Sequence, residues 1–134
     1  MYGNNFLSKE SDFILEKFGL NIKRLMICLI LGALAGLYCA FATAAFNKVS
    51  LEYLIYIWYN RLILGFVITI ADKITIIKNK RGNSVVRGAV IGGLLSIIVV
   101  IIPGLAAISY LFVGILFGAL IDLIATLLAP SQSE

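Results

Sequence analysis

The sequence predicts an all-α polytopic membrane protein, with four transmembrane helices in a compact bundle. Three observations predict it. Of its 134 residues 61% are hydrophobic and only 13% charged, whereas a soluble domain carries about 25% charged residues to cover its surface. The apolar residues fall in runs long enough for a bilayer core of about 30 Å, which takes roughly 20 helical residues to cross. The charges collect between those runs, and the length accommodates one domain.

Residues 1–24 read as a cytoplasmic amphipathic segment. Phe13, Ile14 and Phe18 share a helical face, Ser11 suits an N-cap and Gly19 suits a stop. Such a segment rests on the membrane surface or else frays as a tail. The membrane domain is expected over 25–129. Its first span covers 25–46, uncharged from Leu25 to Phe46, with Lys23 and Arg24 before it and Asn47 and Lys48 after it. Ala42-Thr43-Ala44 resembles a signal-cleavage site, but the preceding region carries acids as well as bases, so the span is expected to be retained.

The second span is expected over 59–77. Residues 53–59 (Tyr-Leu-Ile-Tyr-Ile-Trp-Tyr) are rich in the aromatics that favour headgroups. Placing them at one interface leaves 47–58 as an interfacial segment, and the span then ends at Lys78, Lys80 and Arg81. From Gly88 to Leu128 there is a single charge, Asp122, over about twice the length of one span. Pro103-Gly104 divides this stretch into helices over 85–102 and 106–128. A flexible cytoplasmic tail, 130–134, follows.

Lys and Arg set the orientation. Lys9, Lys17, Lys23, Arg24, Lys78, Lys80 and Arg81, flanked by Lys73 and Arg87, lie on one side, against Lys48 and Arg61 on the other. Both termini are therefore expected to be cytoplasmic, in a cell membrane. Because topology accounts for the +4 charge, nucleic acid is not expected as a partner.

Helices in lipid associate where small residues let backbones approach. Gly32, Gly36, Ala40 and Ala44 form such a ridge, as do Gly88, Gly92 and Ser96, and again Gly114 and Gly118. These residues are the expected packing sites, either within one bundle or in self-association. The likeness of 31–36 (Leu-Gly-Ala-Leu-Ala-Gly) to 87–92 (Arg-Gly-Ala-Val-Ile-Gly) hints at a two-helix repeat.

Asp72, Arg87 and Asp122 are expected at one depth in the cytoplasmic half, on three helices, with Thr126 continuing the ridge of Gly114, Gly118 and Asp122. An unpaired carboxylate in lipid is costly, so pairing with Arg87 or access to water is expected. Two acids against one arginine leave one acid in excess, unless Lys73 pairs with it. Arg61 is expected to snorkel to headgroups, the alternative being a polar stripe of Arg61, Gly65, Thr69 and Asp72. Cys28 and Cys39, about 16 Å apart along one helix, read as packing residues.

Histidine is absent, which excludes Cys/His zinc sites, histidine-ligated haem and Ser-His-Asp catalysis. No P-loop or activated nucleophile occurs, so neither enzyme activity nor a cofactor is expected. Two functions remain. One is a small oligomeric transporter or channel, with a cytoplasm-facing charged site for a small ion or polar substrate. The other is a non-catalytic accessory or scaffolding subunit with structural charges. The bilayer, further copies and a larger membrane protein are the expected partners.

Overall fold

A computed structural model describes residues 3–17, 19, 21–101 and 108–130. The protein is all-α, with four helices long and apolar enough to cross a membrane. In chain order the helices are α1 (Gly3–Lys17), α2 (Ile22–Phe46), α3 (Leu51–Ile70), α4 (Lys80–Ile101) and α5 (Ile108–Leu128), with a 3₁₀ turn at Ala71–Lys73. Phe18, the Pro103-Gly104 turn and residues 131–134 lie outside the described residues.

α1 extends past both sides of Ser11, which donates to the Ser8 carbonyl within the helix and does not cap it. Gly19 takes φ 66°, and its N–H donates to the Glu16 carbonyl at 2.9 Å. This left-handed ending suits a glycine. α2 starts at Ile22 because Asn21 caps it, accepting from the N–H groups of Lys23 and Arg24. Arg24, expected to flank the span, is therefore inside the helix.

The second span is displaced from its expected 59–77. Ser50 accepts from the Tyr53 N–H and starts α3 at Leu51, with Glu52 in the first turn, where the helix dipole favours an acid. The aromatic cluster thus forms the opening turns of the helix, and no separate interfacial segment spans 47–58. At the other end the helix stops at Ile70 because α4 supplies alternative partners. Asn83 Oδ1 accepts from the Ile76 and Ile77 N–H groups, and its amide donates to the Ile74 carbonyl. Arg87 donates to the carbonyls of Asp72 and Ile74. With these groups satisfied, 74–79 need not be helical.

Two glycine-tight antiparallel hairpins, α2/α3 and α4/α5, dock on each other. A Cβ on Gly32 would meet the Arg61 carbonyl, and one on Gly36 the Trp58 carbonyl at 2.8 Å. In the second hairpin Gly88 and Gly92 lie on the backbone of Gly118 and Gly114. The glycines of the ridges thus build the bundle itself, while Ala44, at the end of the first ridge, is exposed. Between the hairpins lies an apolar core of Cys28, Ala35, Leu64, Ile68, Ile121 and Ala125. The bundle has a terminal end, holding the start of α2, the 71–79 connection and the end of α5, and an opposite far end.

Candidate functional site: a buried ion quartet

The terminal end of the bundle holds four charges from four segments. Asp122 in α5 is fully buried and Arg87 in α4 is 4% exposed. Arg87 Nε donates to Asp122 Oδ2 at 2.8 Å, and Arg87 Nη2 to Oδ1 at 2.7 Å. This is the two-pronged arrangement that a planar guanidinium makes with a carboxylate. Arg24, 0% exposed, contacts the same Oδ1 through Nη2. Its Nη1 lies 3.2 Å from Asp72 Oδ1, and Arg87 Nη2 lies 3.7 Å from that oxygen.

Neutral groups complete the site. Thr126 Oγ1 accepts from Arg24 Nη1 and Nη2, both at 3.2 Å, and stands 3.5 Å from Asp122 Oδ1. The Ala129 carbonyl, just past the last turn of α5, accepts from Arg24 Nη1 at 3.3 Å. Asp72 is the member nearest water, its side chain 15% exposed.

The structure therefore brings Asp72, Arg87, Asp122 and Thr126 together. It changes their charge balance, since Arg24 supplies the second cation and two guanidiniums face two carboxylates. Lys73 does not fill that role; it is exposed and lies against Gly19. The clue to Arg24 was its spacing, four residues before Cys28 and eight before Gly32, which puts it on the ridge face. Its position at the edge of the charge-free run concealed this.

A third buried cation lies toward the far end. Arg61 is 1% exposed and points into the bundle, not to headgroups. It is the eleventh residue of α3, too deep to snorkel along the helix surface once α3 begins at Leu51. Its Nη1 donates to Ser96 Oγ at 2.9 Å and its Nη2 to the Tyr110 carbonyl at 3.4 Å. No carboxylate pairs with Arg61 among the described residues. The stripe Arg61, Gly65, Thr69 and Asp72 is not a continuous polar path. Gly65 packs on the Cys28 carbonyl, Thr69 donates back to the Gly65 carbonyl, and Leu64 and Ile68 fill the interior beside them.

Among the described residues no group of three or more acidic, cysteine or histidine side chains could hold a metal. Cys28 and Cys39 are buried free thiols. No family model, curated protein or solved structure matches this chain.

Proposed function

We propose that this protein is a non-catalytic accessory or scaffolding membrane subunit, whose buried charges clasp four segments into one rigid bundle. The observation that carries the reading is the balance of the quartet. Both Asp122 oxygens accept from arginine, and Asp72 Oδ1 faces both guanidiniums. A site that loads and releases a cation needs spare negative charge, and two guanidiniums against two carboxylates leave none. The apolar core also separates the quartet from Arg61.

The termini face the cytoplasm in this reading. With Arg24, Arg61 and Arg87 buried, the exposed terminal-end cations include Lys9, Lys17, Lys23, Lys73, Lys78 and Arg81, whereas the far-end loop carries Lys48. That asymmetry follows the positive-inside rule. Labelling of Asn79→Cys against Ser50→Cys in intact cells checks it.

Reconstituted vesicles test the function. Wild-type protein should pass no ions or polar solutes above empty vesicles, while Asp122→Asn lowers thermal stability in detergent. Ion flux through wild-type vesicles that is abolished by Asp72→Asn, at the more exposed acid, would overturn the reading and restore an oligomeric transporter or channel.

A further inference from the structure

We propose that the connection between α3 and α4 binds an anionic phospholipid of the terminal-end leaflet, its isoleucines among the acyl chains and its cations on the phosphate. A connection that met water would present polar side chains. Residues 74–77 instead read Ile-Thr-Ile-Ile, with Ile74 54%, Ile76 51% and Ile77 42% exposed. Lys73, Lys78 and Arg81 flank them and are exposed too. An exposed apolar patch rimmed by charge marks an interaction surface.

Depth argues that the partner is lipid. The Ile74 carbonyl accepts from Asn83 Nδ2 at 3.0 Å and from Arg87 Nη1 at 3.1 Å. Asn83 and Arg87 stand three and seven residues into α4, about 4.5 and 10 Å past Lys80. Ile74 therefore lies back alongside the opening turns of a helix long and apolar enough to span a bilayer. Its exposed side chain meets whatever surrounds that helix. The Ile76 and Ile77 N–H groups are tied to Asn83 Oδ1 and hold the next two isoleucines close by. A soluble protein approaching from the water would reach Lys78 and Arg81, but not the flank beside α4 where Ile74 sits.

Charge selects the head. No acidic residue occurs from Lys73 to Arg81. The nearest along the chain, Asp72, is engaged by Arg24 and Arg87. Among the described residues no carboxylate pairs with Lys73, Lys78 or Arg81. Basic groups just outside a span attract anionic lipids. The site is also held in shape, because Asn83 and Arg87 bond the backbone from Asp72 to Ile77. Isoleucines and cations are thus presented together, with little backbone left to order on binding.

Native mass spectrometry of the full chain, extracted from vesicles of equal phosphatidylglycerol and phosphatidylcholine, tests this. Wild-type protein should favour phosphatidylglycerol at least about fivefold, the ratio expected from one basic group near an anionic headgroup. Lys78→Gln combined with Arg81→Gln changes only exposed side chains, so it should fold normally and retain the two heads equally. Asn83→Ala keeps every cation but releases the connection, so its preference should fall to that of the double variant. Lys48→Gln, in the far-end loop, should leave the preference unchanged. A nitroxide on Ile76→Cys should collide more with oxygen, which concentrates among acyl chains, than with a water-soluble nickel chelate; Cys28 and Cys39 are buried. Equal retention of the two heads by wild type would overturn the proposal and leave the cations to an acidic protein partner. Wild-type preference in Asn83→Ala or in the double variant, its loss in Lys48→Gln, or a nitroxide reached mainly by nickel would overturn it equally.

Discussion

Replacing Asp122 by asparagine removes one negative charge and almost no volume from a fully buried position. The carboxylate accepts from Arg87 Nε and Nη2 and from Arg24 Nη2. An asparagine keeps one carbonyl oxygen and turns an N–H₂ donor toward groups that are themselves only donors. Two guanidiniums then face Asp72 alone. Charge-assisted hydrogen bonds contribute about 1.5–3 kcal/mol each, and removing one partner of a buried pair costs about 3–5 kcal/mol. Hydrogen bonds inside membranes average only about 0.6 kcal/mol, so the bare count of contacts overstates the loss. The decisive quantity is the stranded charge, and about 3 kcal/mol is the expected cost. For a chain of this length each kcal/mol moves the melting temperature by about 3–5 °C, so a fall of about 10 °C in detergent is expected. Arg24→Gln in the same background removes the surplus cation and leaves Arg87 balanced by Asp72. The double variant should therefore melt above the sum of the two single losses, with a coupling of about 1–3 kcal/mol. A single variant melting within about 2 °C of wild type, or a coupling near zero, would show that the quartet is not a clasp.

Four further outcomes follow from the geometry. Gly65→Ala and Gly92→Ala drive a methyl into the carbonyls of Cys28 and Gly114, so each should lower stability by about 1–3 kcal/mol in detergent melts. Gly82→Ala, whose added Cβ comes no closer than 3.7 Å to Asn79, should be neutral or slightly stabilising. Asn83→Ala frees the N–H groups of Ile76 and Ile77 and the Ile74 carbonyl, so amide exchange across 74–79 should quicken while the spans stay protected. Asn21→Ala removes the α2 cap and should cost about 1 kcal/mol, read as a melting shift smaller than that of Asp122→Asn.

The four spans and their small-residue faces were legible because each depends on local pattern: uncharged length for a helix in lipid, and four-residue spacing for a ridge. The convergence of Asp72, Arg87 and Asp122 followed from the same logic, since a carboxylate in an apolar run must face a neighbouring helix. Boundaries were less legible. An aromatic cluster marks a depth and not a helix end, so Tyr53 to Tyr59 could lie at headgroup level and still be helical. Once α3 begins at Leu51, Arg61 lies too deep for the lipid interface and turns inward. Only the tertiary structure decided which charges were partners. Arg24 flanks the span in the sequence, yet the antiparallel passage of α5 beside α2 brings Asp122 and Thr126 within its reach. The same packing turned the glycine ridges inward, to be used within one chain. One-dimensional pattern is enough to set what must avoid lipid. Which group it then meets depends on helix order and register, and those are set by backbone contacts between residues far apart in the chain.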